Sequence, residues 1–217
     1  MLNLYFVPST ASMVPHILLE ELGVPFQLTR VDRENNAHKA PDYLRLNPNG
    51  RIPVLVDGAL VLYETAAITL HLCDGHPTAS LLPEVGTHER AHAYKWLMWL
   101  TNTLQTALMA YFYPERLLPT PDPSASALIR EQAERQVSQL LGQLDAELAR
   151  HGGPWFMGVA YTALDAYVFT LCRWTRGFAH ERPAREWPHL GPYLQRMLAR
   201  PAVLRMLATE ALPQPWV

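Results

Sequence analysis

The feature that most constrains this 217-residue chain is a change of hydrophobic period roughly a third of the way along. Up to Tyr63, short apolar runs alternate with helical spacing, the pattern of an α/β layer. "LNLYFV" (2–7) and "PFQLTRVD" (25–32) read as strands. The helix between them, over 12–23, has Pro15 near its first turn and stops at Gly23. A polar loop, "NNAHK", and a short helix, "APDYLRL", come next. "PVLVDGALVLY" (53–63) reads as two strands joined at Asp57-Gly58, a strong hairpin signal, and "ETAAITLHLCD" (64–74) as a helix. The order is β-α-β-α-β-β-α. Strand signals then cease: 88–113, 124–150, 162–178 and 190–207 all show helical spacing, separated by Pro- and Gly-rich breaks. The spacing predicts an α/β domain over 1–78, a linker over 79–86 and an all-α domain over 87–217.

Composition and charge narrow the function. A net charge of -2 and a pI near 6.5 give no global field to recruit nucleic acid or an anionic membrane. The N-terminal residues lack a cationic segment followed by an apolar run, so no signal peptide is expected. The most apolar later stretch is interrupted by Thr101, Asn102, Thr103, Gln105 and Thr106, which suits a helix with one buried face rather than a membrane span. Cys73 and Cys172 lie far apart within apolar helical patterns and read as reduced core residues, not a disulfide or metal framework. The cytoplasm is the expected compartment.

"NPNGRIPVLVDG" (47–58) contains a contradiction. "IPVLV" has the look of a buried strand, yet Pro53 cannot donate a ladder hydrogen bond and central strands normally exclude it. A proline does, however, tolerate a cis bond before it far better than any other residue.

With that proline at the head of its third strand and a helical domain behind it, the module resembles the soluble glutathione transferase family over nearly the whole chain. The resemblance rests on "LYFVPSTAS", "NPNGRIPVLVDG", "LYETAAITLHL" and "MGVAYTALDAYVF", in that order and spacing. "ASMVPHILLEELG" and "NPNGRIPVL" look most like the bacterial beta class and its relatives. It implies a thioredoxin-like, glutathione-binding N-terminal domain and a helical C-terminal domain with a hydrophobic substrate pocket. It also implies a homodimer in which the α/β domain of one chain meets the helical domain of the other. The implied activity is conjugation of the glutathione thiolate to small hydrophobic electrophiles, with no metal, nucleic acid or membrane partner. Two alternatives are a glutathione-dependent disulfide reductase or peroxidase, and a non-catalytic protein that kept the fold.

The site residues follow from the same resemblance. A cis Ile52-Pro53 bond would turn the Ile52 N–H and C=O outward, to pair with the cysteinyl part of glutathione as a short added strand. Glu64 suits the ligand ammonium, and Thr65, at a helix start, suits the γ-glutamyl carboxylate. Relatives usually carry serine at that point, and threonine keeps the hydroxyl. His38 and Lys39 fall where relatives contact the glycine carboxylate, with Arg51 in the same area. Gln105 falls where a polar residue nears the ligand. The thiol needs a hydrogen-bond donor that favours its charged form, and the family places it in the loop "VPSTASMVP". Beta-class enzymes have a cysteine there, but this chain has Ala11; Tyr5 lies inside the strand, so the early tyrosine of mammalian-type classes is missing too. Ser9 is the leading donor, with Ser12 and Thr10 as alternatives; Ser12 also suits a helix cap. Leu108, Tyr111, Phe112 and Tyr113 offer an apolar wall for the electrophile. Thr162 and Asp165 resemble the family's buried capping box, a folding element.

Overall fold

The computed structural model describes residues 1–217, which form two compact units: Met1–Glu84 with Leu198–Pro213, and Val85–Met197 with Gln214–Val217. The first holds a four-stranded mixed sheet of thioredoxin-like topology, β2-β1-β3-β4, with β1 Leu2–Phe6, β2 Phe26–Arg30, β3 Val54–Asp57 and β4 Leu60–Tyr63. β1 pairs parallel with β2 and antiparallel with β3, and β3 pairs antiparallel with β4. Helices α1 (Met13–Leu22), α2 (Pro41–Leu44) and α3 (Thr65–Gly75) complete the α/β part of this unit. α1 is apolar nearly all round, and it buries Met13, Val14, Ile17, Leu18 and Leu19 completely.

Pro53 resolves the contradiction in its strand by standing just outside it. The ladder begins at Val54, and the Ile52-Pro53 bond is cis. No ladder hydrogen bond is asked of the proline.

The second unit contains α4 (His88–Trp99), α5 (Gln105–Phe112), α6 (Pro123–His151), α7 (Ala163–Trp174) and α8 (Leu190–Leu198). Two stretches that spacing predicts as single helices are divided. Within 88–113 a π-helical turn, Leu100–Leu104, separates α4 from α5. There the Thr101 hydroxyl donates to the Leu97 and Met98 carbonyls (3.1 and 3.0 Å), competing for acceptors the α-helical ladder uses. Within 190–207, Pro201 has no N–H to continue a helix and Arg200 before it is extended (ψ 131°), so α9 (Pro201–Thr209) starts afresh. α9 packs on α1, with Arg200 bidentate on Glu21 (2.6 and 2.8 Å). Spacing assigns this segment to the helical half; in the structure its packing on α1 groups it with the sheet. No helix is long and apolar enough to cross a membrane.

α7 starts at the capping box. Asp165 Oδ2 accepts the Thr162 N–H (2.7 Å) and Oδ1 accepts the Phe156 N–H (2.8 Å) and the Tyr193 hydroxyl (3.0 Å). Asp165 is fully buried, and burial raises its carboxyl from 3.8 to about 6 against the pull of these donors. A raised folded-state value makes this group's contribution to stability greatest below the unfolded value and lost as pH rises through about 6. Asp165→Asn should therefore flatten the stability profile between about pH 4 and 6 and cost about 1–3 kcal/mol at the acid end, through the mispaired amide. Denaturant melts across that range check this; an unchanged slope would contradict it.

Candidate active site

Strand register builds the site. Tyr5 pairs with Val54, Val54 with Tyr63 and Phe6 with Arg30, so the chain leaves β1, β2 and β4, and enters β3, at one end of the sheet. That end carries the loop with Ser9, the loop with His38 and Lys39, the Ile52-Pro53 step and the Glu64-Thr65 step. Val31, Tyr43 and Val54 form a core beneath it, and Tyr5, Val7, Ala37, Ile52 and Tyr63 pack on that core.

The three candidate hydroxyls differ in environment. The Ser12 hydroxyl is fully buried, donates to the Val7 carbonyl (3.0 Å) and lies 2.9 Å from the Thr10 hydroxyl. Thr10 donates to the same carbonyl (2.8 Å). Both serve to close the loop. Ser9 is half-buried and holds a left-handed φ of 65°, unusual for serine. Its N–H donates to Glu210 Oε2 (3.0 Å), while Glu210 Oε1 accepts from His16 Nδ1 (2.8 Å). The His16 and Glu210 side chains are fully buried, and the imidazole lies edge-on to Phe6 and Phe26. Glu210, at the end of α9, thus pins the Ser9 backbone from a part of the sequence 201 residues away. No short-range signal in the sequence could have linked the two.

The segment before β3 is held just as firmly. Buried Asn47 donates through Nδ2 to the Arg51 carbonyl (2.8 Å) and accepts the Asn49 N–H at Oδ1 (3.0 Å). Tyr43 donates its hydroxyl to the same Arg51 carbonyl (2.8 Å). Ile52 stands outside the ladder, and no group of the chain takes its N–H or C=O. The Arg51 side chain is exposed. Asn47 and Tyr43 are positioning residues the sequence reading missed; "NPNG" held the signal, since asparagine turns of this kind brace loops.

Glu64 is exposed, with φ 72° and ψ 115°, a strained combination for a residue with a side chain. Thr65, buried, opens α3, so the first N–H groups of that helix point out beside Glu64. Burial, and then the charges of Lys39 and Arg33, lower the His38 pKa and favour the neutral imidazole. Lys39 is exposed and its ammonium donates to the Asn49 carbonyl (3.4 Å).

In the helical unit, Tyr111 meets Phe178 at 4.7 Å and Phe112 at 5.1 Å between ring centroids, and Phe112 meets Trp174 at 6.1 Å. Tyr113 lies beside Phe112, and burial keeps the Tyr111 phenol protonated. Leu108 is completely buried. Gln105 gives its amide oxygen to the Tyr167 hydroxyl (3.0 Å). Trp174 and Phe178 extend the cluster beyond the residues singled out by spacing.

Comparison with known proteins agrees with this architecture. Family models described as the glutathione S-transferase N-terminal and C-terminal domains match residues 2–74 and 100–201. The chain is 30% identical to glutathione S-transferase GstA of Escherichia coli O157:H7, over 97% of this chain and 100% of that one. A glutathione transferase homolog from Sulfitobacter, solved with bound glutathione, superposes with a TM-score of 0.87 at 28% identity, covering 98% of this chain and 99% of that one. The beta-class glutathione S-transferase of Sphingomonas chungbukensis gives 0.80 at 31% identity, over 97% and 100%. With both domain models matched in order and relatives aligned end to end, the chain belongs to the glutathione S-transferase family.

Proposed function

We propose that the protein binds glutathione at this end of the sheet, activates its thiol as the thiolate and transfers it to a small hydrophobic electrophile. The observation that carries this is the register that brings Ser9, Ile52 and the Glu64-Thr65 step to one end of the sheet, with the Ile52 backbone left open for a ligand strand. Glu64 receives the ligand ammonium, the α3 N-terminus and Thr65 the γ-glutamyl carboxylate, and His38 and Lys39, with Arg51 nearby, the glycine carboxylate. The Ser9 hydroxyl donates to the sulfur, and the thiol proton leaves to solvent. The thiolate then forms a C–S bond as the electrophile's leaving group departs with its bonding pair. Tyr111, Phe112 and Tyr113 supply apolar surface, and Gln105 a polar group. Ala11 in place of cysteine removes a mixed-disulfide route through that position. The working form is a cytoplasmic homodimer.

Turnover of a chloronitrobenzene in excess of turnover of a small disulfide or hydroperoxide supports conjugation; the opposite ranking assigns the site to disulfide or peroxide reduction. Glu64→Gln removes the charge from the ammonium contact and should weaken glutathione binding about tenfold, with little change in turnover at saturation. Titration calorimetry checks this, and unchanged affinity would remove Glu64 from the site.

A further inference from the structure

We propose that Gly50 is a positioning residue: its missing side chain sets the spacing between the Ile52 backbone and Lys39, and so makes the site select a thiol peptide that ends in a glycine carboxylate. This rests on the glutathione-binding role given to Lys39 above.

Gly50 is buried in the turn that precedes Ile52, at φ 58°, and its N–H donates to the Asn47 carbonyl (2.9 Å). A Cβ at this position would lie 2.8 Å from the His38 carbonyl oxygen, 2.8 Å from Lys39 Nζ and 3.0 Å from Lys39 Cδ. The first of these is backbone and cannot step aside cheaply. The other two belong to the side chain whose ammonium reaches the Asn49 carbonyl. The 37–39 turn therefore rests directly on Gly50, while Asn47 and Tyr43 fix the other side of the same loop through the Arg51 carbonyl. One short loop carries the open backbone of Ile52 and the seat of Lys39. A methyl group at position 50 must displace Lys39 or the loop that carries Ile52, changing the gap a bound peptide has to span. Only a ligand that uses both ends senses that change.

The test compares glutathione with γ-glutamylcysteine, which lacks the glycine, as co-substrates of wild-type protein, Gly50→Ala and Gly58→Ala. Gly58 has the same φ of 58° but nothing within 4 Å of an added Cβ, so it reports the backbone penalty alone. The expected result is a KM for glutathione about ten- to a hundredfold higher in Gly50→Ala, kcat nearly unchanged and γ-glutamylcysteine affected less than about threefold. Gly58→Ala should leave the preference between the two thiols intact. If Gly50→Ala does not fold, Gly50→Asn carries the same Cβ on a residue that accepts left-handed backbone, and the same loss of preference is expected. Equal losses for both thiols, or none, would overturn the proposal. A wild-type protein that binds no glutathione would instead overturn the glutathione-binding reading itself.

Discussion

Ser9→Ala is expected to slow conjugation at neutral pH by about ten- to a hundredfold while weakening glutathione binding far less. Thiolate, not thiol, is the nucleophile, and a hydroxyl that donates to the sulfur favours the charged form. A hydrogen bond to a charged acceptor contributes about 1.5–3 kcal/mol, enough to lower the thiol pKa by about one to two pH units. The tripeptide is still held by Ile52, Glu64 and Thr65, so the loss falls on reactivity. Raising the pH ionises the thiol without help, and the mutant should recover part of its rate there. Ser12→Ala is the informative companion. Its hydroxyl closes the loop on Val7 and lies buried, so its removal should lower stability more than it moves the pH-rate profile.

Glu210→Ala should have the largest effect on stability. It strips a buried acceptor from two donors at once, the Ser9 N–H and His16 Nδ1, beside the rings of Phe6 and Phe26. Buried groups left without partners cost about 1–3 kcal/mol each, so about 2–6 kcal/mol is expected, a fall in melting temperature of roughly 4–24 °C for a chain of this size. Activity should fall as well, since Ser9 holds its left-handed conformation with the help of that bond. Glu210→Gln, which keeps one oxygen, should lose less. A Glu210→Ala protein with wild-type melting and wild-type turnover would show that the α9 terminus does nothing for the loop.

Local signals made most of the fold legible. Alternation and the Asp57-Gly58 pair located the hairpin to within one residue, since Asp57 still pairs with Leu60 and the loop is Gly58-Ala59, and Pro53 announced a special entry to β3 because its chemistry admits few alternatives. The capping box of α7 was readable because both partners lie within three residues. Long-range features were not. That α9 would pack on α1, or that Glu210 would hold Ser9, depends on contacts across the chain that no period encodes. The π-helical turn at Leu100–Leu104 also escaped notice, because its cause is a threonine hydroxyl competing for carbonyls inside an otherwise regular pattern. Spacing alone also left the surroundings of Leu108 open: an apolar residue at helical spacing looks the same whether it faces a ligand or the core, and Leu108 is completely buried. The polar candidates Glu64, Thr65, His38 and Lys39 all lie on segments leaving one end of the sheet.

The most direct measurement is a pH titration of the thiolate absorbance of bound glutathione in wild-type protein, Ser9→Ala and Ser12→Ala. The expected result is a wild-type midpoint below that of free glutathione, a Ser9→Ala midpoint about one to two pH units higher, and a Ser12→Ala midpoint close to wild type. A curve that stays in place for Ser9→Ala and moves for Ser12→Ala would contradict the assignment of Ser9 as the donor to the sulfur.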